Sequence, residues 1–232
     1  MTYLGIDIGT SAVKAVLVDG EQRLLAEAEV PLSISRPQPL WSEQEPDAWW
    51  AASREALAAL RATAPAALAT TQAIGLSGQM HGAVVLDAAD RPLRPAILWN
   101  DGRAQAECRV LMERVPDLGR IAGIPAMPSF TAPKLLWLAA HEPDLFARTA
   151  HVLLPKDYVA LQLTGEHVTA PCDAAGSLWL DEAARAWSPE ILAATGLTVA
   201  QMPRIVEGTM PAATLRPGIA AELGLPPGIP LA

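Results

Sequence analysis

The chain has only two cysteines in 232 residues, Cys108 and Cys172. That is too few for a disulfide framework, and their spacing fits no zinc site, so a reducing cytoplasm is the expected setting. A basic surplus is also missing. Lys and Arg number 17 against 25 Asp and Glu, a net charge of −8 with a pI near 5.0. That sign excludes nucleic acid and anionic membrane surfaces as expected partners. It leaves an anionic small molecule open, because one local lysine can hold a phosphate on an acidic protein. No basic segment precedes the opening Met1–Asp7, where Asp7 interrupts a short apolar run, so it does not read as a signal peptide. No stretch approaches the roughly 20 apolar residues of a membrane span, and no repeat or low-complexity tract is present. What remains is a globular composition, 51% hydrophobic and 18% charged, long enough to bury a substantial core.

Strands and helices alternate, which predicts an α/β fold. Tyr3–Ile6, Val13–Val18 and Leu24–Leu32 read as a strand meander turned at Asp19-Gly20. A proline-containing loop follows, and Pro46 with Asp47 suits a helix start. Trp50, Leu57 and Leu60 give that helix, Asp47–Arg61, an apolar face. Ala73–Leu76, Ala83–Leu86 and Ala96–Trp99 are expected strands. Ala104, Cys108, Leu111 and Val115 mark a second amphipathic helix, and Cys108 on its stripe is expected to be buried and inert. Further elements are expected at Lys134–Ala140, Val152–Leu154, Asp157–Leu163 (stopped by Gly165) and Ile219–Leu223. The final run Gly228–Ala232 reads as apolar chain with no following element.

The strongest chemical signal is Gly5-Ile6-Asp7-Ile8-Gly9-Thr10-Ser11. A carboxylate ends a strand, glycine lets the backbone approach a ligand, and two hydroxyls follow. Such a turn suits a phosphate. Asp7 then makes sense beside Mg²⁺ or a metal-bound water, and Lys14 adds a positive charge. The same run also fits an ordinary hairpin with a solvated aspartate, and it lacks the Gly-Lys-Ser/Thr of a Walker loop. His81 follows a Gly-Gln turn where a neutral imidazole both donates and accepts, and Met80 offers an apolar wall. Trp99, Asn100, Asp101 and Arg103 form a polar cluster that fits either a ligand site or a local Asp–Arg pair. Lys134 and Trp137 read as a helix stem and a core aromatic.

Asp7 to Lys14 resembles the first phosphate motif of sugar kinases that share their fold with actin and hexokinase. Ser77-Gly78-Gln79-Met80-His81-Gly82 and Leu98-Trp99-Asn100-Asp101-Gly102-Arg103 are similar to the FGGY carbohydrate kinase family, and within it to the branch acting on D-xylulose. Ser129–Lys134 with Trp137, Leu154–Tyr158 and Asp173–Asp181 resemble further motifs of the family in the same order. The resemblance implies a ribonuclease H-like α/β domain with a mixed sheet flanked by helices, spanning residues 1–232 as the family's N-terminal domain. It implies ATP and Mg²⁺ as cofactors and phosphorylation of D-xylulose to D-xylulose 5-phosphate. Another pentose, a pentitol or a sugar acid (ribulose, ribitol, gluconate) and a non-catalytic sugar-binding lobe are the alternatives, and a homodimer is an allowed assembly. Carried over residue by residue, Asp7 organises metal and phosphate, Gly9, Thr10, Ser11 and Lys14 line the phosphate path, and Met80, His81, Trp99 and Asp101 contact sugar.

Two departures stand out. Thr169-Ala170-Pro171-Cys172 occupies a stretch where the family pattern carries a Ser/Thr-Asp pair, and Ala140 stands at a usually polar position. The chain is also expected to stop before the family's catalytic aspartate, since no Asp or Glu follows Glu222. The 232 residues alone are therefore expected not to turn over.

Overall fold

A computed structural model describes residues 1–232. Its centre is a six-stranded mixed sheet. Three strands, β1 (Thr2–Ile8), β2 (Ala12–Asp19) and β3 (Leu24–Pro31), form an antiparallel meander. Thr71–Gly78 adds in parallel to the other edge of β1, followed by Pro230–Leu231 and Ala213–Thr214.

Side chains on a strand alternate between faces, and that rule places the chemistry. Leu4, Ile6 and Ile8 of β1 and Val13, Ala15 and Leu17 of β2 point into the core. Asp7 and Lys14 therefore lie on the opposite face, directly across from each other. The parallel register brings Ser77 beside Asp7 on its other side.

Under the core face lies helix α1 (Pro46–Thr63), with proline in its first turn and Asp47 near its N-terminus. Its buried stripe runs through Trp49, Ala52, Ala56, Leu57 and Leu60. Leu57 and Leu60 lie on it as expected, but Trp50 is only half-buried and Trp49 takes the core position instead. A second hydrophobic cluster gathers Cys108, Leu111, Phe130, Leu135 and Trp179 beneath helices Gln105–Arg114 and Thr131–His141. As expected, Cys108 is buried, and burial pushes its thiol up to about 11.

Helix Pro155–Thr164 ends at Gly165, whose φ of +80° is the left-handed conformation glycine supplies most readily. The expected strand Ala96–Trp99 is shorter, Ala96–Ile97. Short helices at Pro171–Ala175 and Pro189–Ala194 went unforeseen. Ala232 N–H donates to Ile74 O at 2.9 Å and Leu76 N–H donates to Ala232 O at 3.0 Å, so the C-terminal run is a strand of the central sheet. No helix is long and apolar enough to cross a membrane.

Candidate active site

Asp7 projects from the open face of β1 into a cleft of about 670 Å³. Ser77 Oγ donates to its Oδ1 at 2.7 Å, and Oδ2 has no partner within the protein. Lys14 lines the same cleft but pairs with Glu29 on β3 at 3.2 Å rather than with Asp7. A strand-end carboxylate held by one hydroxyl, with one oxygen free and a lysine opposite, fits a metal-bound water and phosphate oxygens. The turn beyond it is tight: a Cβ on Gly9 would come within 2.8 Å of the Ala12 carbonyl oxygen. Only glycine passes there without moving backbone.

Sequence reasoning assigned no role to two more charges in this cleft. Lys156, in the first turn of helix Pro155–Thr164, bridges Asp157 at 2.7 Å and Asp173 at 3.1 Å. Burial works against its charge, but Asp157 and then Asp173 outweigh burial, so its pKa is raised and it stays an ammonium ion. Asp173 lies on the short helix Pro171–Ala175. The divergent stretch Thr169-Ala170-Pro171-Cys172 sits against this cleft too, Thr169, Ala170 and Cys172 lining it. Both residues lay within stretches that carried the resemblance. The usable signal was a charge in the first turn of a helix whose start a proline marks.

His81 sits beside this cleft rather than in its wall. Its φ of +62° is left-handed, a costly conformation for a non-glycine residue. Lys134 Nζ donates to its carbonyl at 2.8 Å and Thr131 Oγ1 at 3.2 Å, which holds that conformation. The ring packs against Phe130, at 4.7 Å between centroids, and against Gly176, where a Cβ would meet Cδ2 and Nε2 at 2.5 Å. Burial, and then the Lys134 ammonium, pulls the imidazole down to about 4, with Asp173 acting in the opposite direction. At neutral pH the ring is therefore an uncharged donor and acceptor. Met80 beside it is 54% exposed.

Lys134 was read as a stem, and it is fully buried; its ammonium binds the carbonyls of His81 and Ser129 with no carboxylate partner. Burial lowers its pKa to about 7.

The expected phosphate and sugar stretches meet at Thr10. Its hydroxyl donates to Gln79 Oε1 at 3.1 Å and accepts from Trp99 Nε1 at 3.0 Å. Gln79 also donates to Gln44 at 2.9 Å, and Gln44 in turn donates to the Thr10 carbonyl at 2.7 Å. Thr10 thus spends its hydroxyl tying the two loops together. Ser11 is exposed, its carbonyl accepting from Leu32 N–H at 2.8 Å. Gln44 carried no sequence signal, since it acts through a contact made only in the folded chain.

Asp101 departs from the expected sugar contact. Its side chain is fully buried; Ser42 N–H donates to Oδ2 at 2.6 Å, and Arg103 donates to both oxygens at 2.7 and 2.9 Å. Arg103 also reaches Glu43 at 2.7 Å and lies 3.6 Å over the Trp41 ring. Every acceptor direction of Asp101 turns inward. The local Asp–Arg pair, the other reading of this cluster, is the arrangement observed.

A carboxylate and two ammonium groups line one opening, with an uncharged imidazole beside it, on an α/β lobe of the actin- and hexokinase-like fold. Over residues 2–232 the chain matches the model for the FGGY family of carbohydrate kinases, N-terminal domain, and it belongs to that family. The chain is 48% identical over 223 residues to the xylulose kinase of Escherichia coli K12, a match covering 96% of this chain and 46% of that protein. A xyloylose kinase crystal structure from Brucella ovis aligns with a TM-score of 0.98 at 51% identity, over 100% of this chain and 48% of that one. A gluconate kinase from Lactobacillus acidophilus aligns at 0.92 and 25% identity, over 99% and 46% respectively. The chain spans about half the length of the curated relatives it matches.

Proposed function

We propose that this chain is the sugar- and phosphate-facing lobe of a kinase that converts D-xylulose to D-xylulose 5-phosphate with MgATP. The observation that carries the reading is Asp7, exposed in a cleft with one free carboxylate oxygen and with Lys14, Ser77 and Lys156 around it. Bound MgATP supplies the phosphoryl group. Asp7, with one carboxylate oxygen free, would hold the metal side of MgATP, and Lys14, now paired with Glu29, would offer its charge to the phosphates. The uncharged His81 ring exchanges hydrogen bonds with vicinal sugar hydroxyls, and Met80 covers the carbon skeleton beside it. Asp101 is left out of the contact set because its oxygens are filled. Positioning and charge neutralisation carry most of such a transfer.

The high identity to xylulose kinases favours D-xylulose; the similarity to a gluconate kinase keeps a sugar acid as the second reading. The test is a panel of D-xylulose, D-ribulose, ribitol and gluconate with the enzyme assembled from this lobe and its second half, wild type and His81→Ala. The reading expects D-xylulose to have the highest kcat/KM and His81→Ala to raise its KM at least tenfold. An unchanged D-xylulose KM in His81→Ala would overturn the pocket assignment, and a preference for gluconate would overturn the substrate.

A further inference from the structure

Three residues outside the cleft, Asp90, His151 and His167, bring one ligating atom each to within 4.8 Å of one another. None of them lines the opening that Asp7 faces. Asp90 stands in a left-handed turn, φ +59°, closed by its N–H donating to Asp87 O at 3.0 Å. His151 opens the strand His151–Leu153 and pairs with Leu86. His167 precedes the strand Val168–Thr169, and its carbonyl accepts from Arg204 N–H at 2.9 Å. Each residue is thus anchored by backbone hydrogen bonds on a different segment. The two imidazoles stack at 4.1 Å, and His167 Nε2 lies 2.8 Å from Asp90 Oδ1.

We propose that these three residues form a binding site for a borderline divalent cation of the Zn²⁺, Co²⁺ or Ni²⁺ class. Two imidazoles and one carboxylate are the donor set such ions take, whereas Mg²⁺ prefers oxygen ligands alone. A tetrahedral ion with arms of about 2.1 Å spaces its ligands about 3.4 Å apart. The present spacing, up to 4.8 Å, exceeds that by about 1.4 Å, and the two stacked rings must turn so that their in-plane lone pairs converge on the ion. The partly exposed Asp90 and His167 leave room for water at the remaining position. The nearby cations are engaged elsewhere, Arg91 with Asp87 and Arg204 with Glu166. A bound ion would tie together three segments, two of them 77 residues apart. It would stabilise the lobe without entering the kinase chemistry.

The test uses the untagged chain at pH 7.5, titrated with ZnCl₂ by calorimetry and with CoCl₂ by visible absorption. The site predicts saturable 1:1 binding, the intense d–d bands of a low-coordinate Co²⁺ site, and a melting temperature raised by about 4–10 °C at a hundredfold excess over Kd. His151→Ala, His167→Ala and Asp90→Asn should each weaken binding at least about tenfold, as loss of a ligand requires. Cys172→Ser and His141→Ala should leave it unchanged, and millimolar Mg²⁺ should not compete. Asp90→Asn sits in an exposed turn and remains informative should a histidine variant fold poorly. Absence of saturable binding, or binding that survives all three substitutions, would show an ordinary Asp–His pair and overturn the site.

Discussion

Gly176→Ala is the sharpest probe of the sugar side, because its effect must travel through His81. Gly176 has φ −67°, a backbone conformation alanine adopts freely, so the substitution adds no backbone strain. Its new methyl would lie 2.5 Å from the imidazole, about 0.9 Å short of ordinary contact. The ring has little freedom to retreat, since Phe130 packs against it at 4.7 Å and Lys134 and Thr131 hold the His81 backbone. A misplacement of about 1 Å at a reacting centre costs on the order of 100-fold, and a ring forced off its rotamer about 1 kcal/mol. We expect kcat/KM for D-xylulose to fall about 10–100-fold, equivalent to about 1.4–2.7 kcal/mol, with the ATP KM unchanged within about twofold. A coupled ADP-release assay measures both in the enzyme containing this lobe. Gly176→Ala should also cost His81→Ala almost nothing in the double variant, because the clashing ring is gone. Full sugar turnover in Gly176→Ala, or additive losses in the double variant, would refute the placement of His81 at the sugar.

Further expectations follow from neighbouring residues. Asp101→Asn removes one of the two carboxylates that Arg103 meets, Glu43 remaining, and weakens buried hydrogen bonds, which should cost about 1–3 kcal/mol in urea unfolding while sugar affinity of the folded protein holds; a sugar KM change without a stability loss would return Asp101 to the pocket. The depressed His81 pKa implies that the unfolded chain binds the extra proton first, so stability falls as pH drops from about 6.5 towards about 4. By the same argument the imidazole stays neutral from pH 6 to 8, and a step in sugar KM near pH 6.5 that persists in Lys134→Met would contradict it. Lys134→Met removes the clamp on the His81 carbonyl, so sugar KM should rise at least about threefold while the ATP KM stays constant; equal changes in both would mean a general loosening of the fold.

Alternation carried the central sheet: once Leu4, Ile6 and Ile8 claim one face, Asp7 must take the other, and the sequence alone shows this. Helix α1 was legible from Pro46 and its apolar spacing, with Leu57 and Leu60 buried as expected, although Trp49 and not its chemically alike neighbour Trp50 takes the core position. Helices of five or six residues, such as Pro171–Ala175, are too short for periodicity to register, and only their leading prolines mark them. Lys156 and Asp173 meet through a salt bridge between separate helices, and Gln44 meets Thr10 across a loop. Spacing along the chain has no access to such pairs. Asp101 shows the converse limit, because a polar cluster after a strand looks the same from sequence whether it faces ligand or its own arginine.

Asp7→Asn is nearly isosteric, keeps the Ser77 contact and removes only the charge offered to the metal and phosphates. Measured in the assembled enzyme, kcat should fall at least about 100-fold, with D-xylulose affinity and melting temperature preserved. Turnover within about twofold of wild type would contradict the assignment of this cleft to phosphoryl transfer.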